Sequence, residues 1–359
     1  MNRRPVAIDI FSGAGGLSLG LQEAGFRVAA AVEISPNICK TYAANHPGVA
    51  LITEDARRVT GKMLLEAAGV KHIDLVAGCP PCQGFTSLTH KYRGGDPRNT
   101  LLLEMARIVG ELRPTAVLME NVSGLADRGK HLLDAFTARL VGYGYSPNCA
   151  VLQLADYCIP QTRRRLVLTA GKGFTIPLPM PSHSRTGATD PPTERWLTVR
   201  DAIARMTRPV TLREAMKDGG PEAFGWHVVR DLQPATRDRL LAVRPGQSRT
   251  ALPDDLRPEC HRGRSLGFTN VYGRMSWDSP APAITGGCTS FCKGRFGHPT
   301  ENRTISVREA ALIQGFPNSY RLVTPHMDRA CDMVGNALPP PFAKSLGMAA
   351  LAVLGPRAR

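Results

Sequence analysis

The chain has 359 residues, of which 43% are hydrophobic, and a formal net charge of +15. This length allows two domains with separate cores, and the composition is that of a soluble globular protein. The charge favours a polyanionic partner, with nucleic acid first and a membrane surface second. The start of the chain lacks the apolar run of an export signal, and no stretch reaches the roughly 18 apolar residues of a membrane span. The nine cysteines are therefore expected to be reduced thiols of a cytoplasmic protein.

The first half of the chain alternates short apolar runs with helical patterns. Such alternation predicts an α/β fold built on a doubly wound, mostly parallel sheet. Strands are predicted at residues 6–10, 28–32, 49–53, 73–78, 116–119, 145–154 and 166–170. Helices are predicted at residues 17–24, 35–45, 101–112, 131–141 and 307–314, and from 328 to 354.

A glycine-rich turn, FSGAGG at residues 11–16, connects the first strand to the first helix. Strand, turn and helix in this order open a nucleotide-binding unit. Gly13 and Gly15 fit the dinucleotide fingerprint, but Ser18 stands where the third glycine belongs. This departure weakens the interpretation of the turn as a dinucleotide site, but a nucleoside remains a possible ligand. Glu33, at the end of the second strand, could bind ribose hydroxyls or simply cap a helix.

The segment GCPPCQGF, residues 78–85, follows the fourth strand. A thiol just past a strand end, between prolines and a polar loop, suits a nucleophile. Acidic residues end two other strands, with Asp55 after the third and Glu120 after the fifth. Because these strand ends line one crevice in an open α/β sheet, we expect a single site there.

Three consecutive arginines, residues 163–165, precede the strand at 166–170. Side chains alternate along a strand, so Arg163 and Arg165 should share one face. From about residue 171 to 300 the chain is rich in Pro, Gly, Thr and Arg, which predicts a second, irregular domain with short strands.

Together these segments closely resemble the cytosine-5 DNA methyltransferase family. The resemblance rests on six motifs in the family order: DIFSGAGG at 9–16, GCPPCQGF at 78–85, ENV at 120–122, QTRRR at 161–165, the 303–317 segment with REAA and QGFP, and GNA at 335–337. It spans nearly the whole chain and implies a Rossmann-like catalytic domain, residues 1–175 and 322–359. Residues 176–321 would form a smaller target-recognition domain.

By this resemblance, the enzyme flips a cytosine out of duplex DNA and methylates carbon 5. Cys82 would add to carbon 6, and Glu120 would bind the ring nitrogen N3. Arg165 would hold O2 of the base, and Arg163 would support the site. Residues 83–99 would form a lid, unless they are a plain surface loop.

The resemblance further implies S-adenosyl-L-methionine as the methyl donor and no metal. Donor contacts would come from Phe11, Gly13, Gly15, Gly16, Glu33, Ile34, Asp55, Pro80 and Asn336. Ile34 replaces an aromatic residue common in the family, so adenine stacking is expected on the Phe11 side alone.

The implied partner is double-stranded DNA, bound by a monomer in the cytoplasm with no membrane attachment. A role in a restriction-modification system would add a cognate endonuclease that shares the site. Four alternatives stay open: a tRNA methyltransferase of the same family, a silent nucleic-acid-binding protein, a redox CxxC pair, and a zinc site. Cysteines 79, 82, 288 and 292 would hold the zinc.

Overall fold

The computed structural model describes residues 4–81, 97–262 and 269–354. The chain divides into two compact units that it visits alternately. The first comprises Met1–Tyr157, Arg164–Ser182 and Leu338–Arg359, and the second comprises Cys158–Arg163 and His183–Ala337. The functional domain boundaries expected from the sequence stay a prediction.

The first unit is built on a seven-stranded sheet. Its strands are β1 (Val6–Ile10), β2 (Arg27–Val32), β3 (Ala50–Ile52), β4 (Leu75–Gly78), β5 (Ala116–Val122), β6 (Tyr145–Gln153) and β8 (Arg164–Lys172); the short strand β7 (Gln161–Thr162) belongs to the second unit. The order is β3-β2-β1-β4-β5-β8-β6. Pairs from β3 to β5 are parallel, whereas β8 runs antiparallel to both β5 and β6. The predicted doubly wound, mostly parallel α/β fold is confirmed.

Helices cover the sheet. They are α1 (Gly16–Ala24), α2 (Pro36–Asn45), α3 (Gly61–Ala68), α4 (Leu101–Leu112), α5 (Lys130–Gly142) and α11 (Pro340–Leu354). Strands β1 and β4 are buried along their full length, as expected for parallel strands covered on both faces. Helices α1 and α11 pack closely: a Cβ on Gly20 would lie 2.4 Å from the Ala343 Cβ. A glycine at this position therefore lets the two helices approach.

The second unit has short elements. Its helices are α6 (Val199–Ile203), α7 (Leu212–Lys217), α8 (Pro234–Ala242), α9 (Val307–Ile313) and α10 (Met327–Asn336). Its strands form three two-stranded pairs. They are β9 (His183–Ser184) with β10 (Glu194–Arg195), β11 (Val210–Thr211) with β12 (Val228–Val229), and β7 with β13 (Ala281–Pro282). The irregular second domain with short strands agrees with the sequence prediction.

By length and composition, Met327–Leu354 could cross a membrane, which the sequence analysis did not anticipate. It consists of two helices, α10 and α11, separated by residues 337–339. About the same apolarity is found in core helices of soluble proteins, and 44% of its most apolar window is buried. The stretch is therefore weak evidence for a membrane span.

Candidate active site

The turn after β1 has a backbone that requires glycine. Gly13 and Gly15 have φ values of 54° and 95°, which L-residues with side chains rarely adopt. Phe11 also has a positive φ, of 65°, and its ring packs against the core of the sheet. Gly16 begins α1, so the helix N-terminus opens directly from this turn. A Cβ on Gly13 would meet nothing within 4 Å, so open space lies beside the turn.

Glu33 follows β2 and faces this turn. Its Oε2 accepts a hydrogen bond from the Gly13 N–H at 3.0 Å, and its Oε1 accepts one from the Ser35 N–H at 2.8 Å. Burial raises the pKa of the Glu33 carboxyl, and the hydrogen bonds from Ser35 and Gly13 oppose that rise. The neighbouring Ile34 side chain is 62% exposed. A hydrogen bond therefore connects Gly13 to Glu33, and the exposed Ile34 side chain follows Glu33 in the chain.

Asp55 lies after β3 and is held by Arg57. Its Oδ1 accepts from the Arg57 N–H at 3.0 Å, and its Oδ2 accepts from the guanidinium at 2.9 Å. These hydrogen bonds, with the backbone bond first, lower the pKa of Asp55. Both oxygens of the residue predicted to bind the adenine amine therefore already have a partner within the chain.

The ends of β4, β5 and β8 bring an acid and an arginine together. Glu120 lies near the end of β5, is buried, and pairs with Arg165 of β8 at 2.8 Å between Oε1 and Nε. Desolvation lowers the pKa of Arg165, although Glu120 opposes this shift. The Asn121 side-chain amide donates to the Pro80 carbonyl at 2.9 Å, which fastens the end of β5 to the segment after β4. Cys82 and most of the predicted lid lie outside the described residues.

Arg163 and Asn336 belong to the second unit. The buried Arg163 guanidinium donates to the carbonyls of Ile284 and Gly335, the latter at 2.9 Å. Asn336 ends α10, directly after that carbonyl. Arg163 therefore holds the backbone next to Asn336, while Arg164 is exposed.

Asp9 is a polar residue that the sequence analysis did not single out. It is fully buried in β1, and its Oδ2 accepts a 2.6 Å hydrogen bond from the Ser18 hydroxyl, which also contacts the Tyr42 hydroxyl at 2.6 Å. Among the described residues, Oδ1 has no hydrogen-bond partner. Burial raises the pKa of Asp9 to about 7. A lone acid inside the apolar strand VAIDI was the signal that could have identified it.

The strand order and the turn after β1 place the first unit in the class of Rossmann-like α/β folds. The family model for C-5 cytosine-specific DNA methylase matches residues 6–351. The chain therefore belongs to this family and is a DNA (cytosine-5-)-methyltransferase, as the resemblance of its motifs indicated.

Named relatives agree with this assignment. The chain is 35% identical to the Type II methylase M.HgiDII of Herpetosiphon aurantiacus, covering 92% of this chain and 91% of the relative. It is 32% identical to the Type II methyltransferase M1.HphI of Haemophilus parahaemolyticus, covering 96% and 86%. The fold is similar to that of a DNA modification methyltransferase encoded within an E. coli prophage, with a TM-score of 0.71, 23% identity, and coverage of 96% and 98%.

Proposed function

We propose that this chain transfers a methyl group from S-adenosyl-L-methionine to carbon 5 of a cytosine in duplex DNA, with Cys82 as nucleophile. The observation that carries the proposal is the pair formed by the buried Glu120 and the half-buried Arg165, at 2.8 Å, at the strand ends beside the segment that leads to Cys82. An acid and a guanidinium side by side offer both a proton-sharing group and a donor to a flat polar ring.

The residues of the first unit fit a nucleoside donor. Glu33 is a buried acceptor whose two oxygens keep lone pairs beyond those used by Gly13 and Ser35. The turn leaves open space at Gly13, and Ile34 offers an exposed apolar surface. We expect Glu33 to bind the ribose. We expect Asp55 to bind the adenine amine with a carboxylate that the Arg57 guanidinium also contacts. When bound, the donor supplies an electrophilic methyl group on a sulfonium.

The chemistry assigned to the chain balances in three steps. The Cys82 thiolate forms a bond to carbon 6 of cytosine, and the electron pair of the 5,6 double bond becomes available at carbon 5. Glu120, by sharing a proton with N3, stabilises the charge that develops on the ring, while Arg165 holds O2. Carbon 5 would then receive the methyl group as the sulfonium–methyl bond breaks and the donor leaves as a neutral thioether. A base removes the carbon 5 proton, and that electron pair re-forms the 5,6 double bond as the bond between the Cys82 sulfur and carbon 6 breaks. Water is as good a candidate for that base as any side chain.

The charge of the chain and its second unit favour duplex DNA as the substrate. A base inside a duplex cannot reach a thiol at a strand end, so the target must be flipped out at a cost of a few kcal/mol. The net charge of +15 favours a phosphate backbone. We expect the second unit to carry sequence readout, and the chain to act as a monomer in the cytoplasm, paired with an endonuclease of a restriction-modification system.

Bisulfite sequencing of plasmid DNA from cells expressing the chain tests this proposal. We expect protected cytosines in one sequence context, and none in cells expressing Cys82→Ser. Cys149→Ser, at an exposed cysteine of β6, is the matched control and should remain active. Methyl transfer to tRNA but not to duplex DNA would instead support the tRNA branch of the family, and an active Cys82→Ser would overturn the assignment of the nucleophile.

A further inference from the structure

Cys79 is the first residue after β4, and the sheet places it beside Glu120. In the parallel β4–β5 pair, Gly78 lies opposite Met119. Continuing that register by one residue sets Cys79 opposite Glu120. Side chains at opposite positions of neighbouring strands lie on the same face, within contact distance.

This register brings the Cys79 thiol close enough to the Glu120 carboxylate to donate a hydrogen bond to it, and the proximity of that carboxylate contributes to a raised pKa of the thiol. Arg165 approaches the same carboxylate, at 2.8 Å from Oε1, and also lies close enough to Cys79 to interact with it electrostatically. Three polar side chains from three adjacent strands, β4, β5 and β8, therefore form one cluster. The Asn121–Pro80 hydrogen bond fastens the next position of the same two strands.

The thiol in this cluster is a proton donor. Burial, with the negative charges of Glu120 and Asp9, raises the pKa of Cys79 well above its ordinary value. The group consequently keeps its proton at neutral pH and is a poor nucleophile, in contrast to the thiolate that attack on cytosine requires. A protonated thiol can donate a single weak hydrogen bond.

We propose that Cys79 is a positioning residue that, together with Arg165, orients the Glu120 carboxyl toward the cytosine. The terminal torsion of a glutamate side chain is broad and roughly two-fold, so one partner does not fix its carboxyl plane. A second donor on the neighbouring strand restricts that rotation. Because a thiol is a weak donor, it does so without competing strongly for the electron pairs that the base must use. This inference rests on the proposed function of Glu120.

The test compares variants at position 79 that differ in the donor. Cys79→Ala removes it, and Cys79→Ser restores a hydroxyl donor. We expect Cys79→Ala to lower kcat roughly 10-fold, while KM for S-adenosyl-L-methionine and the thermal midpoint remain near the wild-type values. Cys79→Ser should recover most of the lost kcat. Cys79→Val and Cys79→Thr, which have the same shape and differ in the hydroxyl, repeat the comparison should alanine destabilise the fold.

Each outcome decides the matter. If Cys79→Ala has the kcat of the wild type, the inference is overturned. It is also overturned if the alanine and serine variants lose kcat equally and the valine and threonine variants do so too, because that result shows a packing role. In both cases the proposed function still stands. A wild-type protein that methylates neither duplex DNA nor tRNA would overturn the proposed function, and the inference with it.

Discussion

The two units satisfy their polar groups in different ways. In the first, the ladders of a seven-stranded sheet pair the backbone, and Glu33 and Glu120 lie at or after strand ends. In the second, the named strands are two residues long. There the buried guanidinium of Arg274 donates to the carbonyls of Leu240, Val243 and His298.

Charged pairs have different surroundings in the two units. The Glu120–Arg165 pair of the first unit lies at strand ends, where a substrate can reach it. The Arg303–Glu309 pair of the second unit is bidentate, at 2.7 and 2.8 Å, and Glu309 also accepts the Ser306 N–H at the start of α9. An unpaired backbone group buried away from water is costly, so arginines that reach several carbonyls replace missing ladders. We infer that the Glu120–Arg165 pair of the first unit acts in catalysis, whereas Arg274 and the Arg303–Glu309 pair of the second unit act in folding.

Removal of the Arg274 side chain should give the largest effect. Arg274→Met leaves several buried carbonyls without a donor, and we expect it to lower the free energy of unfolding by about 3–5 kcal/mol. Trp196, Trp226 and Trp277 all lie in the second unit, so tryptophan fluorescence during urea denaturation reports on that unit. Arg237→Met, at an exposed arginine of α8, is the control and should change stability by less than about 0.5 kcal/mol. Equal stability of both variants would contradict the structural role.

Glu120→Gln should affect activity rather than folding. Glutamine keeps the shape but cannot share a carboxyl proton, so kcat should fall about 100-fold, or ~2.7 kcal/mol of barrier. Methyl incorporation into duplex DNA measures this, and the urea denaturation transition followed by far-UV circular dichroism, which also reports on the sheet of the first unit, should remain at the wild-type denaturant concentration. Glu66→Gln, at an exposed glutamate of α3, should leave kcat unchanged. A Glu120→Gln protein that unfolds early yet retains kcat would reverse the comparison between the units.

Asp9 should make the stability of the first unit depend on pH. Its pKa is raised from 3.8 to about 7 in the folded protein, so the folded state holds a proton that the unfolded state has lost. The resulting stabilisation is present below pH 4 and is lost as pH rises toward 7. Between pH 5 and pH 8 we expect the wild type to lose roughly 2 kcal/mol that Asp9→Asn does not lose. Chemical denaturation followed by far-UV circular dichroism at both pH values checks this, and parallel losses in the two proteins would argue against it.

The Asp55–Arg57 pair should give the smallest effect. Arg57→Ala frees Oδ2 of Asp55, whereas Oδ1 keeps the backbone N–H of residue 57. We expect KM for S-adenosyl-L-methionine to fall about 2- to 3-fold, while stability changes by less than ~0.5 kcal/mol because the pair is largely exposed. Arg58→Ala removes a neighbouring arginine that is 80% exposed and 3.9 Å from Glu54, and serves as the control. A higher KM for Arg57→Ala would mean that Arg57 itself contacts the donor.

The sequence predicted most of the first unit because its signals are local. Buried parallel strands are continuous apolar runs, and α4 was predicted with its observed bounds, Leu101–Leu112. The helices α3 and α8 were missed. Helix α3 buries Leu64 and Ala68 at helical spacing, but it is only eight residues long, so its apolar period is short. Helix α8 buries Leu240 alone and gives no apolar period.

The positions of Glu33 and Glu120 at or after strand ends were predictable because each follows a local apolar run, and their roles stay predictions. The contact between Cys79 and Glu120 depends on the register of two strands separated by a helix. The bonds of Arg274 depend on carbonyls from segments far apart in the chain. No local pattern encodes either arrangement, because both follow from tertiary packing.

The packing of α11 on α1 has a consequence for how the protein is made. Helix α1 begins at the glycine-rich turn after β1, and its partner α11 follows the whole second unit in the chain. At the roughly 5–20 residues per second of ribosomal synthesis, α1 waits tens of seconds before its partner emerges. A Cβ on Gly347 would lie 2.8 Å from the Ala24 Cβ, so α11 fits the face of α1 closely. The nascent chain therefore completes the packing of α1 late in translation, and chaperones that protect the uncovered face of α1 during this interval should improve the yield of active protein.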